Sequence, residues 1–406
     1  MLTLKKTLNN YKDVVLLGLV AVVVGVVVGA IDTVFGMGLL AVTNIRNSHF
    51  VQLVPFLPLA GILIAFAYSK FGKSSIKGMA LIFSVGFGEE EKIPKRLIPL
   101  IMISTWLTNL FGGSAGREGA AVQIGGTAAH TIGNKLNIKN SSKIILIAGM
   151  AAGFAGLFQT PIAAIFFAME VFTAGLLEYG ALFPCIVAAF VASFTSHILG
   201  LKKFSVNLNC TLKLNAPFVF KIILLGILFG IVGGIFAYSL NWSKDFFGKR
   251  MQNPILRVFI LGCILSIWLF LLHKGRYAGS GTNLIEASFF HGRIYGYDWL
   301  LKFILTILTL SAGYQGGEMT PLFSIGACFG TFLASLIGLP AEFAAALGYA
   351  ALFGSATNTL ISPIFIGAEV FGFDYMPYFF VVSVIAYIFN GNKSIYPAQK
   401  IHPALR

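Results

Sequence analysis

A chain of 406 residues would ordinarily suggest two or three soluble domains, but 57% of this one is hydrophobic and only 11% is charged, against about a quarter charged in a typical soluble domain. That balance excludes a water-soluble enzyme. The 29 Lys+Arg against 15 Asp+Glu give a net charge of +14. The basic residues sit in short connections between apolar stretches, where they orient membrane segments rather than bind nucleic acid.

In chain order, Lys5, Lys6 and Lys12 precede an apolar run from Val14 to Ala30. The run is too long for a signal-peptide core and has no small-residue cleavage site, so it reads as a first membrane helix with residues 1–12 in the cytoplasm. Further apolar runs follow at about 51–68, 76–88, 97–111, 143–155, 161–177, 181–199, 218–241, 254–272, 299–313, 321–337, 343–372 and 376–390. Some are shorter than the ~20 residues that a spanning helix needs. Short helices at membrane depth are tolerated only where protein or a water-filled cavity satisfies their ends. With 45 Gly, many near the ends of the runs, the pattern predicts an all-α polytopic membrane protein of many short, tilted and broken helices. A C-terminal segment, 391–406, carries Tyr396 and the basic Lys393, Lys400 and Arg406, which places it in the cytoplasm as well.

The chain also repeats itself. Residues 149–172 align with 348–371 at an offset of 199, matching Gly149, Ala151, Ala152, Phe154, Phe166, Glu170, Val171 and Phe172 to identical residues. At an offset of 200, Gly116 and Glu118 fall on Gly316 and Glu318, and at 203, Gly78, Leu81 and Ile82 fall on Gly281, Leu284 and Ile285. Three blocks in one order imply two homologous halves, 13–200 and 216–390, joined by 201–215. An odd number of crossings per half inverts one against the other and puts the substrate at the midplane between them.

The acids separate into two groups. Asp13, Glu89, Glu90, Glu91, Asp245, Glu286, Asp298 and Asp374 fall in polar connections or at segment ends, where solvation is expected. Glu178 and Glu342 lie near helix ends, and Asp32 has no assignment. Glu118, Glu170, Glu318 and Glu369 lie in apolar surroundings, where an acid is costly unless paired or protonated. Glu118 stands in G-G-S-A-G-R-E-G-A-A-V-Q, with a helix expected to start near Arg117. The free N–H groups and positive dipole end of such a helix attract anions, and the Glu118 carboxylate can itself take that place; the competing reading is a helix-start acid neutralised by Arg117. Glu318 heads the matching loop G-G-E-M-T-P, where Thr320 adds a hydroxyl and Pro321 suits a first helical turn. Its competing role is to cap its own helix. Glu170 and Glu369, at equivalent places in both halves, are expected to pack or cap.

No cofactor or metal is expected. Cys185, Cys210, Cys263 and Cys328 are widely spaced without a His cluster, which suits neither a disulfide scaffold nor zinc. An intramembrane protease built on the glycine-flanked Ser114 would need a nearby His, and His130 does not sit at such a spacing.

These residues resemble the CLC family of anion channels and proton-coupled anion antiporters, whose fold is an inverted-topology repeat. The G-R-E-G at 116–119, followed by V-Q at 122–123, is similar to the family signature. The resemblance implies that Glu118 is the gating glutamate and that Gly116, Arg117 and Gly119 belong to the anion site. G-G-E-M-T-P at 316–321 is similar to the family's G-x-F-x-P element, and Tyr396 to the tyrosine that faces the central anion. The departures resemble the fluoride-specific branch of bacterial fluoride/proton antiporters. Met79 stands where most members have an anion-binding serine, Met319 replaces the phenylalanine, Ala120 replaces a proline, and Val171 stands where chloride antiporters carry an internal glutamate. In that branch the acid of G-G-E-x-T-P is characteristic, which implies site roles for Glu318, Met319 and Thr320.

The expected function is therefore proton-driven export of fluoride across the cell membrane, for fluoride resistance, by a homodimer embedded in lipid. Glu118 and Glu318 couple protons, and Met79, Gly116, Arg117, Gly119, Met319, Thr320 and Tyr396 surround the anion. Removing a hydroxyl does not by itself favour fluoride, so exclusion of a larger halide from a smaller, less polar cavity is the expected basis of selectivity. A passive anion channel and a chloride/proton antiporter of the same fold remain the alternatives.

Overall fold

The computed structural model describes residues 2–403 except 91, 135–140, 209, 211–214 and 291, with side chains from residue 12 onward apart from that of Ser141. Glu91, Arg406, the side chains of Lys5 and Lys6, and part of the 201–215 connection therefore lie outside the described residues.

Among these residues there are sixteen α-helices. The first eight are α1 (Leu2–Leu53), α2 (Leu57–Ala67), α3 (Met79–Gly86), α4 (Leu97–Leu110), α5 (Glu118–Gly133), α6 (Ser141–Phe158), α7 (Pro161–Glu170) and α8 (Leu182–Ile198). The second eight, which make up the other half of the chain, are α9 (Ala216–Arg250), α10 (Pro254–Leu271), α11 (Thr282–Phe289), α12 (Asp298–Ala312), α13 (Met319–Ile337), α14 (Ala341–Thr357), α15 (Ile361–Phe371) and α16 (Met376–Ile388). Five helical segments are long and apolar enough to cross a bilayer, interspersed with apolar helices of 10–17 residues. The protein is a multi-pass membrane protein of the all-α class. A two-residue parallel pairing, β1 (Thr173–Ala174) with β2 (Lys400–Ile401), ties the C-terminal segment to the α7–α8 link.

Local chemistry sets the helix starts. The Asn215 side chain accepts the Phe218 N–H at 2.9 Å to begin α9, and Asn253 accepts those of Ile255 and Leu256 to begin α10; each occupies the cap position that satisfies otherwise unpaired first-turn donors. Both helices, like α7, carry Pro in the first turn, where its missing N–H costs nothing.

Glycine sets the packing. On α5 and α6, a Cβ at Gly125, Gly149 or Gly153 would lie 2.1–2.2 Å from atoms of the facing helix, and on α13 and α14 one at Gly326, Gly330 or Gly348 would lie at 2.1 Å. Bare backbones thus meet at the same place in both halves, the small-residue contact that holds helices together where lipid supplies no hydrophobic drive. Large apolar side chains such as Leu19 and Leu40 on α1, Phe190 and Phe194 on α8, Phe220 on α9 and Trp268 on α10 face outward, as lipid contact requires.

The structure departs from the sequence reading at five points. The first apolar run is part of a helix that continues past Asp32 to Leu53, bent at His49 (φ −128°, ψ 29°). The run at 343–372 is two helices, α14 and α15, because Asn358 takes a left-handed conformation (φ 54°). The run at 161–177 leaves the helix at Glu170, and α11 had no counterpart among the apolar runs. Asp298, expected in solvent, is fully buried. Its carboxylate accepts the Tyr277 hydroxyl at 2.7 Å, the Arg276 guanidinium at 2.6 and 3.0 Å and the Tyr295 N–H at 2.8 Å, which together replace the lost water.

Candidate functional site

The two halves meet where α5 and α13 begin. Gly116 N–H donates to the Gly317 carbonyl at 2.7 Å, and Gly317 N–H donates back to that of Gly116 at 2.9 Å. A Cβ on Gly116 would come within 2.7 Å of Pro321 Cδ and Thr320 Oγ1, and one on Gly317 within 2.6 Å of the Gly119 nitrogen. Only glycine at both positions lets the two helix starts converge, and their unpaired first-turn N–H groups and positive dipole ends then point into one region.

Glu118 is the first residue of α5 and is completely buried at this seam. One carboxylate oxygen accepts the Arg117 guanidinium Nε–H at 3.2 Å. The other accepts the Arg117 backbone N–H at 3.3 Å and the hydroxyl of Thr320, in the first turn of α13. Each half therefore contributes to holding one carboxylate. Met319 and Thr320 are both buried in that first turn.

Beside the seam lies a cavity of about 390 Å³, whose wall includes Met79, Phe83, Gly119, Gln123, Lys244, Glu318 and Tyr396. Gly116, Arg117, Glu118, Met319 and Thr320 are not part of that wall; they form the seam behind it. The two regions touch at Gly119, where a Cβ would lie 3.3 Å from Glu318 Oε2. Glu318 does not cap α13 with its side chain. It reaches Lys244 Nζ of α9 at 3.4 Å instead. Met79 begins α3 directly after Gly78, whose φ of 53° turns the chain. The Tyr396 ring packs on Phe83 with centroids 5.6 Å apart, and its buried hydroxyl has no hydrogen-bond partner among the described residues. The same holds for Gln123 Oε1, while Gln123 Nε2 donates to the Gly119 carbonyl at 3.2 Å. Buried polar atoms without partners are rare and call for an explanation, and here, with the hydroxyls of Tyr68 and Ser311, four of them belong to residues of one cavity wall.

Three of the wall residues named above carried no assignment from sequence. Gln123 had a signal, its place in the V-Q of the motif and one turn after Gly119. Phe83 is one of 39 Phe, and Lys244 is one cation at the end of a long helix, so neither could be singled out.

Away from the cavity, Glu170 and Glu369 exchange places. The Glu170 carboxylate, at the end of α7, accepts the backbone N–H groups of Leu360, Ile361 and Ser362 at 3.1, 3.0 and 2.8 Å, at the start of α15. Glu369 of α15 accepts those of Ile162 and Ala163 at 3.2 and 2.8 Å, at the start of α7. Each half caps a helix of the other. Val171 is fully buried beside Glu170.

The family model for the voltage gated chloride channel matches residues 60–391. The chain belongs to the voltage-gated chloride channel (CLC) family. Among its relatives, a protein of Pseudomonas syringae pv. tomato named "Chloride/fluoride channel protein" is 33% identical over 397 residues, covering 96% of this chain and 86% of that protein. The H(+)/Cl(-) exchange transporter ClcA of Vibrio cholerae is 26% identical, covering 86% of this chain and 80% of that one. Among solved structures, a CLC-type fluoride/proton antiporter superposes with a TM-score of 0.95 at 51% identity, covering 97% of this chain and 99% of that one. A slow cyanobacterial Cl-/H+ antiporter reaches a TM-score of 0.80 at 20% identity, which speaks for the shared CLC fold.

Proposed function

We propose that this CLC protein exchanges fluoride for protons, with Glu118 as the proton carrier. The observation that carries the reading is the buried Glu118 carboxylate held by Thr320 and Arg117 where the two halves' helix starts converge. While ionised, it occupies the donors that a halide would need. Once protonated, it loses most of its attraction to them and yields the place to fluoride. Carboxylate and halide cannot sit there together, so movement of one ion is tied to movement of the other.

The cavity supplies the other end of the route. Glu318 lies across Gly119 from the seam and serves as a second proton group, in place of the internal glutamate whose position holds Val171. Tyr396 Oη, which has no hydrogen-bond partner among the described residues, is a donor free to meet an anion. Met79 on the same wall favours fluoride by narrowing the space and so excluding a larger halide. Gly116, Arg117, Gly119 and Met319 shape the seam. The similarity to a CLC-type fluoride/proton antiporter supports fluoride as the anion.

With an inward proton gradient such exchange expels fluoride, so the physiological task is fluoride resistance at the cell membrane. The working form is a homodimer with a separate path in each subunit and both termini in the cytoplasm. The two halves, 13–200 and 216–390, act as opposed repeats around the path.

Fluoride efflux and proton uptake recorded together from proteoliposomes test the reading: both ions must move, in fixed proportion. The name of the Pseudomonas relative, a channel protein, favours a second reading, a passive channel. Fluoride movement that dissipates its gradient without protons selects the channel.

A further inference from the structure

Lys302 of α12 is fully buried. Its ammonium donates to the Ser114 hydroxyl at 2.8 Å and to the carbonyls of Tyr277 and Gly279 at 3.1 and 2.6 Å. These three acceptors use all three of its donors. Arg46 of α1 is also buried, at 6% exposure. Its guanidinium donates to the Asn109 carbonyl at 3.3 Å and to the Asn47 side chain. The two cations lie on either side of Gly279: a Cβ there would meet Arg46 Nη1 at 1.9 Å, while the Gly279 carbonyl takes Lys302. Gly279 N–H in turn donates to the Gly113 carbonyl at 3.1 Å. Among the described residues neither cation forms an ion pair. The buried carboxylate of Asp298, one turn earlier, is bound to Arg276.

A buried charge without a countercharge is expensive, even when hydrogen-bonded, and acts at longer range than a paired one. This pair is attached to the Gly113–Ser114 stretch, which leads within a few residues to Gly116 and Glu118. It also reaches α13, because the space a Cβ would fill at Gly281 is shared by Lys302 Cε at 2.8 Å and Ser324 Oγ at 2.6 Å. Ser324 lies one turn beyond Thr320, and its hydroxyl has no hydrogen-bond partner among the described residues. The positive charge thus stands behind both helix starts that hold Glu118.

We propose that Lys302, with Arg46, is the fixed countercharge of the anion pathway: it keeps the seam occupied by an anion, carboxylate or halide, and sets the halide affinity there. Lys302 bonds to Ser114, Tyr277 and Gly279 and not to Glu118, and is a positioning residue that acts through charge and the Ser114 loop. The inference rests on the reading of the seam as an anion site and is indifferent to which halide is carried or whether protons move with it.

The test compares Lys302→Met and Lys302→Gln with Thr306→Val in the full chain. Thr306→Val removes the hydroxyl that bonds to Ser114 Oγ at 2.9 Å but leaves the charge. Fluoride and chloride binding are read by calorimetry, and KM and kcat by efflux from liposomes, with melting temperature as the measure of folding. Neutralising Lys302 is expected to raise KM and Kd for both halides about tenfold, the scale of one buried charge, with a smaller change in kcat. Thr306→Val leaves Kd within about twofold, since it removes a neutral hydroxyl bond to the Ser114 loop and keeps the Lys302 charge. A folded Lys302→Met protein with wild-type halide affinity overturns the proposal, as does a Thr306→Val protein that loses affinity equally. If neither Lys302 variant folds, Arg46→Gln carries the same expectation, and unchanged affinity there overturns it. Wild-type protein that carries fluoride without protons overturns the exchange reading alone.

Discussion

Thr320 donates its hydroxyl to the carboxylate of Glu118 across the boundary between the two halves of the chain, so a residue in the first turn of α13 fixes the first residue of α5. A hydrogen bond to a charged group contributes about 1.5–3 kcal/mol. In the proposed exchange the same hydroxyl is the donor that a halide meets when Glu118 leaves. Thr320→Val should therefore raise KM for fluoride by about tenfold or more, whereas Thr320→Ser, which keeps the hydroxyl, should stay near wild type. Equal KM values for the Val and Ser variants in liposome efflux would remove Thr320 from the route.

Glu118→Gln replaces the acceptor of both Arg117 and Thr320 with a group that cannot be ionised. Proton movement coupled to fluoride should vanish, whether fluoride flux stops or persists uncoupled. Parallel fluoride-electrode and pH-electrode traces decide this, and intact coupled proton uptake excludes Glu118 as the carrier.

Met79 stands on the cavity wall at the start of α3. Met79→Ser introduces a small hydroxyl and opens space, and should lower the fluoride-to-chloride preference. The measurement is the ratio of initial efflux rates in matched halide gradients. An unaltered ratio assigns selectivity elsewhere.

The reciprocal caps predict unequal losses of stability. Glu170→Ala leaves three backbone N–H groups without their acceptor and Glu369→Ala leaves two, and an unsatisfied buried donor costs about 1–3 kcal/mol. Glu170→Ala should lower the melting temperature more than Glu369→Ala, and protein that remains folded should keep the wild-type proton-to-fluoride ratio. A changed ratio in the Glu170 variant would instead make this carboxylate part of the proton route.

Much of this was legible from sequence because the repeat writes the same residue twice. Glu170 and Glu369 share a frame at an offset of 199, and an acid in both copies argued for capping before any helix was seen. Glu118 and Thr320 were legible as helix-start chemistry flanked by glycines, though not as partners, since 202 residues separate them. Apolar runs marked the helices that face lipid. They missed α11, which is short and carries Asn283 and Glu286, and they merged α14 with α15 because the break at Asn358 is one backbone rotation inside an apolar stretch. Hydropathy is equally blind to Lys302: a cation inside an apolar helix looks the same whether it snorkels to a headgroup or ends on three buried oxygens.

The crossed carboxylates of Glu170 and Glu369 also bind the two short helices into one mechanical unit. Pulling α7 away from α15 would strand five backbone N–H groups at once, each at a cost of about 1–3 kcal/mol where buried, so the pair is expected to shift as a rigid body rather than to slide apart.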